Sequence, residues 1–451
     1  MTLQVRTLEG CALVLVPGVA TALTAGTPRW EWSSVAPFIV EALPLSLVWA
    51  AAFYYRDLRA APLPGGYSRL IRRVLQSCSL AFALYLLVSL ILEAATPIDS
   101  PAPRTFLLTL GMMGLLALPL NETTQVLLRR RGRRVLVFGQ GALASQVLEE
   151  LAKLPALYQT VVTVPADPAP SGGAQASHER LEHAISAHRP DTIILALTDR
   201  RNRLPVEYLV QARLRGIRVE DAVDVYERLT QKLALEFLTP SAFLYTKQLP
   251  KSALYLHLHR SLSVVLAVLG LIASAPLMAL IALAVKLDSP GPVFFRQQRV
   301  GWRDRVFLLY KFRTMRNAEP AVPHSTWHRD DAPRVTRVGR WLRRSRLDEL
   351  PQFWNILRGD MNFIGPRPEM VQNVEQMAQE IPFYRLRHII RPGITGWAQV
   401  KNGYAVDRET VWEKIRYDLY YLKNMGFALD LTILFESVKV ILFGEHGDTN
   451  F

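Results

Sequence analysis

Cysteine is almost absent from the 451 residues of the chain. The two cysteines, Cys11 and Cys78, both lie in apolar runs. A disulfide scaffold and a cysteine zinc ribbon are therefore excluded. Charge is also sparse, because only 20% of the residues are Asp, Glu, Lys or Arg while 50% are hydrophobic. This composition excludes a disordered or collagen-like chain.

Acidic residues are fewer than basic ones, 39 against 53, which leaves a formal net charge of +14. Such an excess is typical of nucleic-acid-binding proteins, and also of membrane proteins whose cytoplasmic loops are positive. The arginine clusters have no interleaved aromatic residues, and no nucleic-acid-binding module is recognisable. We therefore predict a membrane protein in contact with lipids, with no nucleic-acid partner.

Four apolar runs occupy the N-terminal part of the chain. Each approaches the ~20 residues with which a helix crosses ~30 Å of hydrocarbon. Arginines concentrate after the second run and after the fourth, so the positive-inside rule places both of these loops in the cytoplasm. Residues 1–128 are thus predicted to be a four-helix transmembrane bundle, which also invites a homodimer. Its helices are expected at Leu8–Gly26, Pro37–Tyr55, Val74–Ala95 and Phe106–Leu120.

The pattern changes to alternating strands and helices near Arg133, and residues 129–248 are predicted to be a Rossmann-like domain. The first strand, Val135–Phe138, leads into Gly139–Ala144, which reads G-x-G-x-x-A, and then into a helix. In this context the glycines permit a tight turn, and the helix N-terminus offers amides to a pyrophosphate. Further buried strands are expected at Val161–Val164, Thr192–Leu197 and Ile217–Glu220.

Two features of a working dinucleotide enzyme are missing from this domain. The acidic partner expected ~20 residues after the glycines is poorly placed, and Asp167 is the nearest candidate. No tyrosine is followed by lysine four residues later, as in short-chain dehydrogenases and sugar epimerases. We interpret the domain as a fold with an empty or regulatory site. An NAD-dependent nucleotide-sugar dehydratase or epimerase is the alternative.

A fifth apolar segment, Ser261–Val285, contains no ionisable residue and is flanked by Arg260 and Lys286. It is long enough to span a membrane, but Pro276 removes a helix hydrogen bond and can bend the helix. The domain that follows is also rich in arginine, which favours the cytoplasmic side. We therefore predict a re-entrant helix at residues 261–286 that enters from the cytoplasm, breaks at Ala275 and Pro276, and leaves on the same face.

The C-terminal third carries residue types suited to phosphoryl transfer. Asp348 and Glu349 are adjacent carboxylates; one such group can attack phosphorus and a neighbour can hold Mg²⁺. Arg367 and Arg391 lie in rigid proline-containing turns, which suit bidentate recognition of phosphate. The alternatives are a helix cap formed by Ser345–Asp348 and structural ion pairs for the two arginines.

Two other patterns in the C-terminal third are less specific for a function. A run of arginines recurs every two to three residues and is interpreted mainly as a contact with anionic lipid headgroups. His324 and His328 have metal-like spacing but no third ligand. The run consists of Arg334, Arg337, Arg340, Arg343, Arg344 and Arg346.

Seven motifs in fixed order, from Asp288 to Val400, resemble those of the polyprenyl-phosphate sugar-1-phosphate transferases, in the monotopic phosphoglycosyl transferase superfamily. The departures are small: Arg346 stands where the family usually has serine, Asn362 where it has a small residue, and Ala275 where serine is common before proline. The motifs include Asp288–Phe295, Lys311–Met315, Arg346–Gln352, Ile364–Glu369 and Arg391–Val400.

The resemblance implies the long form of the family, with a mainly α-helical catalytic domain over residues 249–451. It implies transfer of a sugar 1-phosphate from a UDP-sugar to undecaprenyl phosphate, with polyprenyl-diphosphate-sugar and UMP as products, as the first step of exopolysaccharide synthesis. The expected location is the bacterial inner membrane, where a multi-pass protein keeps its catalytic domain in the cytoplasm. A membrane-anchored scaffold with a decayed site is the non-enzymatic alternative, and the intact Asp348–Glu349 pair opposes it.

The resemblance also implies roles for individual residues. Asp348 would be the nucleophile that forms a covalent phospho-sugar intermediate, and Glu349 would hold the Mg²⁺ cofactor. The positions expected to bind substrate are Lys311, Arg313, Arg367, Pro368 and Arg391.

Overall fold

The computed structural model describes residues 112, 132–155, 157–165, 173–197, 204–237, 252–316, 334–402 and 408–443. The predicted N-terminal bundle, apart from residue 112, lies outside the described residues, as do Asp167, His324 and His328. The chain divides into two units, Met1–Glu220 and Asp221–Phe451.

A four-stranded sheet with the strand order β2-β1-β3-β4 forms the described centre of the first unit. Strand β1 pairs in parallel with both β2 and β3. Parallel strands cannot be joined by a tight turn, so helices connect them. Each of the four predicted strands overlaps an observed one. In chain order the elements are β1 (Arg133–Phe138), α1 (Ala142–Ala152), β2 (Tyr158–Val164), α2 (Gly173–His188), β3 (Thr192–Leu195), α3 (Val206–Leu214) and β4 (Arg218–Asp221).

Strand β1 is apolar on both of its faces because both are covered. Its last four residues, Val135–Phe138, are buried, and Leu136 and Phe138 share a core with Leu181 of α2 and Leu209 of α3. A continuous apolar run is the expected signature of a central parallel strand, whereas an edge or half-exposed strand alternates.

The glycine loop after β1 has a packing explanation at its first position. A Cβ atom on Gly139 would lie 2.2 Å from the carbonyl oxygen of Ala196, so only glycine fits there. Gly141 has a φ of +103° and precedes α1, but a Cβ atom at this position would meet nothing within 4 Å. The close approach of the loop to the neighbouring strand therefore accounts for Gly139 without any ligand.

The second unit begins earlier than the boundary predicted at residue 248. Helix α4 (Ala222–Thr230) and the 3-10 turn Leu235–Phe237 belong to it. Leu235 shares a hydrophobic core with Ile415, and Glu227 accepts a hydrogen bond from Lys423 at 2.6 Å. These contacts attach the segment to the C-terminal helices, so the chain divides after Glu220.

The rest of the second unit surrounds a small antiparallel sheet with the order β6-β5-β8 and a parallel pair, β7 and β9. Most of its other elements are helices. They are α5 (Ala253–Asp288), β5 (Phe294–Val300), β6 (Val306–Phe312), α6 (Arg337–Ser345), α7 (Gln352–Arg358), β7 (Asn362–Ile364), β8 (Glu369–Met370), α8 (Val371–Glu380), β9 (Gly393–Thr395), α9 (Trp397–Asn402), α10 (Arg408–Asn424) and α11 (Phe427–Phe443).

Helix α5 is, within the described part of the chain, the one helix long and apolar enough to cross a membrane. In its first half, Ala267 packs with Ile356 of α7, and near its end Val285 packs with Leu342 of α6. Both halves of α5 therefore contact the same unit. The opposite face is an exposed apolar stripe with helical spacing, formed by Leu262, Val265, Leu269, Ile272, Leu280, Leu283 and Leu287.

The helix continues through Ala275 and Pro276 and does not end there. The Ser274 hydroxyl donates to the Gly270 carbonyl oxygen at 2.6 Å. This type of contact often bends a helix, and the missing N–H of Pro276 adds to the effect. Both features favour a bend at the predicted position, but the helix is continuous there and the predicted break is not observed.

Candidate active site

The two adjacent carboxylates lie in a 3-10 turn, Leu347–Glu349, between helices α6 and α7. Arg346 adopts the left-handed conformation, with φ 58° and ψ 13°, and this reverses the chain at the end of α6. Both side chains of the pair are buried, with 8% of each residue exposed. An unfavourable backbone conformation two residues before the first of two buried acids is typical of a functional site.

Glu349 contacts two cationic side chains from different elements. Its Oε1 atom accepts from Lys311 Nζ at 3.0 Å and from Arg367 at 2.9 Å, while its Oε2 atom accepts from the other terminal nitrogen of Arg367 at 3.4 Å. Lys311 comes from β6, and Arg367 from the proline turn after β7. The fold therefore brings Asp348, Glu349, Lys311 and Arg367 into one cluster, as their predicted roles require.

The charges of this cluster keep Glu349 ionised. Burial alone would raise the pKa of Glu349, but the charges and hydrogen bonds of Arg367 and Lys311 outweigh burial and hold it well below its ordinary range. Burial and the charge of Arg367 lower the pKa of Lys311, although both carboxylates oppose this effect. The two cations thus favour the ionised form of Glu349, which accepts hydrogen bonds from both of them.

The surroundings of Asp348 shift its pKa in the opposite direction. Burial raises the pKa of Asp348, and the negative charge of Glu349 adds to the effect, while the charges of Lys311, Arg367 and Arg343 oppose it. A carboxylate with a raised pKa is a stronger base, and so a better nucleophile once it is deprotonated. The pair therefore combines one reactive acid with one fixed anion.

Arg343 is a site residue that sequence reasoning placed among the lipid-contacting arginines. Its Nε atom donates to the Thr314 hydroxyl at 3.0 Å, and its charge lowers the pKa of Asp348. Gly339, one helical turn earlier, could have indicated this contact in the sequence. Residues four apart share a helix face, so Gly339 and Arg343 lie on the same side of α6. A Cβ atom on Gly339 would lie 2.1 Å from the Thr314 carbonyl oxygen, so this face of α6 must pack tightly.

The alternative in which Ser345–Asp348 caps a helix is wrong. The Ser345 hydroxyl donates to the carbonyl oxygens of Trp341 at 2.9 Å and Leu342 at 3.3 Å, within the preceding helix. No side chain caps the 3-10 turn that contains Asp348. The acid is therefore not explained by capping of the segment that holds it.

Arg313 lies apart from the cluster. It is 4% exposed, and its terminal nitrogens donate to the carbonyl oxygens of Pro290 at 2.6 Å, Ser289 at 2.6 Å and Val285 at 3.3 Å. These contacts fix the chain where α5 ends. They give Arg313 a structural role and leave its predicted substrate contact without support from its position.

Arg391 and Pro368 have separate surroundings. Arg391 Nε donates to the Gly359 carbonyl oxygen at 3.0 Å, and the guanidinium lies 4.2 Å from the centre of the Trp302 ring. The carbonyl oxygen of Pro368 accepts from Arg299 at 3.1 Å. Contact of either residue with a substrate stays a prediction.

A Mg²⁺ site fits the donor set only if the substrate completes it. Among the residues that the structure describes, no group of three or more His, Cys, Asp or Glu side chains is close enough to hold a metal. Mg²⁺ is, however, commonly bound through one or two carboxylates together with substrate phosphates and water. The Asp348–Glu349 pair supplies those carboxylates.

Comparisons with known proteins agree with the phosphoryl-transfer chemistry to which this site is suited. Residues 254–444 match the family model described as bacterial sugar transferase. The chain is 43% identical over 264 residues to the UDP-N-acetylgalactosamine-undecaprenyl-phosphate N-acetylgalactosaminephosphotransferase of Aeromonas hydrophila, a match that covers 58% of this chain and 61% of that protein.

The chain covers a larger share of two further relatives. Identity is 36% over 317 residues to the UDP-glucose:undecaprenyl-phosphate glucose-1-phosphate transferase of Escherichia coli (strain K12), covering 68% of this chain and 67% of that protein. It is 38% over 186 residues to the exopolysaccharide production protein PSS of Rhizobium leguminosarum bv. phaseoli, covering 40% and 93%. The chain thus spans about three fifths of the Aeromonas relative and nearly all of the Rhizobium one.

Proposed function

The chain belongs to the bacterial sugar transferase family, and from this we propose that it transfers a sugar 1-phosphate from a UDP-sugar to a polyprenyl phosphate such as undecaprenyl phosphate. The products would be polyprenyl-diphosphate-sugar and UMP. The observation that carries the proposal is the buried Asp348 beside Glu349, with Lys311 and Arg367 around them. The likeness to an exopolysaccharide production protein supports a place at the start of exopolysaccharide synthesis.

The first half of the proposed reaction is a displacement at phosphorus. A carboxylate oxygen of Asp348 attacks the phosphorus that bears the sugar and forms a new P–O bond. The P–O bond to UMP breaks, and UMP leaves with the electron pair, while the bond between the sugar and its phosphate stays intact. Lys311 and Arg367 are suited to hold the charge on the phosphate oxygens, since such transfer depends mainly on positioning and charge stabilisation.

The second half returns the enzyme to its starting state. An oxygen of the polyprenyl phosphate attacks the same phosphorus, and the bond to Asp348 breaks with its electron pair, which restores the carboxylate. Two successive displacements need one nucleophilic side chain and no oxidant or reductant. Glu349, held by Arg367 and Lys311, keeps the cations fixed between the two steps.

We include Mg²⁺ as a cofactor of this reaction, held by Glu349 with Asp348 close by. Bound there, the ion would neutralise charge on the diphosphate of the donor. The support is the position of Glu349 beside Asp348 and the lowered pKa of Glu349, which Arg367 and Lys311 cause although burial opposes it.

The lipid acceptor requires the site to lie at the membrane surface, and α5 is suited to place it there. The exposed apolar stripe of α5 would face lipid, while both halves of the helix contact the rest of the second unit, Asp221–Phe451, which holds the candidate site and is called the catalytic unit below. This arrangement supports a re-entrant helix, because a spanning helix would carry one of its ends away from that unit. Trp341 and Trp354 are also exposed, and tryptophan is enriched at membrane interfaces.

The remaining parts of the proposal concern the rest of the chain. We place the protein in the bacterial inner membrane, with a multi-pass N-terminal four-helix bundle and a catalytic domain that faces the cytoplasm. The parallel strands and connecting helices of the first unit support a Rossmann-like domain. No ligand is assigned to it.

Release of UMP tests the proposed function directly. The full-length protein, extracted in detergent, would be incubated with a panel of UDP-sugars, Mg²⁺ and undecaprenyl phosphate. We expect UMP release with at least one donor, and none from the Asp348→Asn variant. Wild-type protein that releases no UMP from any UDP-sugar in the presence of lipid acceptor and metal would overturn the proposal.

A further inference from the structure

Three consecutive carbonyl groups hold the turn that carries Arg367. The Pro366 oxygen accepts from the Gly393 N–H at 3.0 Å, the Arg367 oxygen from Arg387 at 2.8 Å, and the Pro368 oxygen from Arg299 at 3.1 Å. The two prolines have no N–H, so backbone carbonyls are the main groups through which this segment can be fixed. We propose that Arg387 and Arg299 are positioning residues, which hold Arg367 where it can bind the phosphates of the donor.

Arg387 is built into the interior as a fixed donor. It is 1% exposed, and so is Asp418, whose Oδ2 atom accepts from its Nε at 3.1 Å and from a terminal nitrogen at 2.6 Å. The same terminal nitrogen donates to the Arg367 oxygen, and the other donates to the Tyr384 hydroxyl at 3.2 Å. Every nitrogen of the guanidinium thus has a partner, and its orientation is fixed.

Stability alone is a poor explanation for this ion pair. Removing two charges from water is costly, and well-packed apolar residues often replace a buried pair without loss of stability. What the apolar replacement cannot supply is a donor aimed at the Arg367 carbonyl oxygen. The hydrogen bond to that oxygen is therefore the property that we assign to the Arg387–Asp418 pair.

Arg299 fixes the neighbouring carbonyl from a different strand. It lies on β5, and its Nε and one terminal nitrogen donate to Gln297 Oε1 at 3.0 and 2.6 Å. Its other terminal nitrogen reaches the Pro368 oxygen and lies 3.9 Å from Glu369 Oε2. Glu369 in turn pairs with Lys414. The turn is thus held from two sides by two separately neutralised arginines.

The position of Arg367 depends on this hold. Its guanidinium reaches both oxygens of Glu349, at 2.9 and 3.4 Å, and such a two-point contact tolerates little displacement. A misplacement of about 1 Å can cost a factor of about 100 in an enzyme even when its source is remote from the chemistry. The inference rests on the proposed function, because it gives Arg367 a phosphate to bind.

The experiment measures UDP affinity by calorimetry on the full-length protein in detergent. We expect Arg387→Lys, which keeps the charge but loses the fixed fork, to weaken UDP binding by at least about tenfold. Arg385→Lys is the matched control, since Arg385 lies with Arg387 on the 3-10 segment Tyr384–Ile389, is half-exposed and pairs with Glu375 and Asp304. Because exposed pairs contribute little, its affinity should stay within about twofold of wild type.

A double-mutant cycle separates positioning from general damage. If Arg387 acts through Arg367, then Arg387→Lys should weaken UDP binding by less than about twofold further once Arg367→Ala is present. A structural role would give additive losses, which would overturn the inference, as would unchanged UDP affinity in a folded Arg387→Lys variant. If Arg387→Lys does not fold, Arg299→Lys replaces it in the same cycle with the same expected pattern. Wild-type protein that fails to bind UDP would instead overturn the proposed function.

Discussion

Asp348 and Glu349 are neighbours in the chain, yet their surroundings shift their pKa values in opposite directions. Burial raises the pKa of Asp348, whereas Arg367 and Lys311 overcome burial at Glu349 and hold its pKa well below the ordinary range. The difference follows from contact geometry, because Glu349 accepts hydrogen bonds from both cations. Two identical functional groups thereby acquire two roles, and only one of them is suited to attack.

The proposed covalent role of Asp348 predicts an adduct that forms without lipid. With a UDP-sugar as the only substrate, wild-type protein should release UMP and retain a phospho-sugar on the peptide Ser345–Arg358, as mass spectrometry would show. Asp348→Asn should form no adduct and should lose about three orders of magnitude or more in turnover, because an amide oxygen lacks the attacking charge. An adduct on another residue, or UMP release that strictly needs the lipid acceptor, would contradict this.

Arg343 predicts a shift in the pH dependence of that first step. Attack requires the deprotonated form of Asp348, so UMP release should fall as the pH drops through its raised pKa. The charge of Arg343 lowers this pKa, and its removal in Arg343→Gln should move the acidic limb to higher pH. Arg344→Gln removes an exposed charge one residue further along the helix and serves as the control. Acidic limbs that coincide in the two variants would exclude a direct effect of Arg343 on Asp348.

Sequence reasoning found the residues of the cluster but not those that support it. Asp348, Glu349, Lys311 and Arg367 stand in distinctive motifs, and the structure brings them together. Arginines resemble one another in a sequence, whether they face solvent, lipid or a carbonyl oxygen. The contacts of Arg343, Arg387 and Arg299 are with residues distant in the chain, and so are those of Arg313, so none of them was visible in the sequence.

At the scale of elements, the short strands β7 and β9 approach each other more closely than side chains permit. A Cβ atom on Gly393 would lie 2.1 Å from the backbone nitrogen of Gly365, and one on Gly365 would lie 2.5 Å from the Arg391 carbonyl oxygen. This contact allows the Gly393 N–H to reach the Pro366 oxygen, and thus to hold the turn before Arg367.

The close contact predicts a large effect of a single methyl group. Gly393→Ala must push two backbones apart, and we expect a loss of about 2–3 kcal/mol in the free energy of unfolding. Gly426→Ala is the control, since the nearest atom to its Cβ would be the Asn424 carbonyl oxygen at 4.0 Å. Its stability should change by no more than about 0.5 kcal/mol. Thermal unfolding followed by tryptophan fluorescence compares the two, and equal midpoints would refute the close-contact explanation.

Helix α5 shows why the bounds of an element are harder to predict than its existence. The prediction began at residue 261, where the apolar run starts, but the helix begins at Ala253. Ser252 caps it by accepting from the Tyr255 N–H at 3.1 Å, and Arg260 donates to the carbonyl oxygens of Ile356 and Met361. The two extra turns combine exposed leucines with polar residues such as His259 and Arg260 that contact the rest of the second unit, so the apolar run alone did not show where the helix begins.

At the scale of the whole molecule, the chain divides into two units after Glu220, whereas the sequence pattern suggested a domain boundary at residue 248. Residues 221–237 contain no long apolar run, so their association with the C-terminal helices was not visible. The parallel sheet of the first unit was predicted more closely, because buried strands between turn residues have a strong local pattern. Local patterns thus predicted the elements, and long-range contacts decided how they were grouped.

Membrane topology gives the last prediction. Helix α5 has 36 residues, or about 54 Å at ~1.5 Å per residue, which exceeds the ~30 Å of the hydrocarbon core. It could therefore span the bilayer by length, but Arg260 near its start and Val285 near its end both contact the second unit, which favours entry and exit on one side. In a background without Cys11 and Cys78, single cysteines at the exposed positions His257 and Pro292 should react with a membrane-impermeant thiol reagent only after the cells are permeabilised. A cysteine at Ser100, in a loop predicted to be external, should react in intact cells and confirms that the reagent has access. Labelling of Pro292→Cys in intact cells, with His257→Cys still protected, would mean that α5 crosses the membrane and would place the catalytic unit outside the cytoplasm.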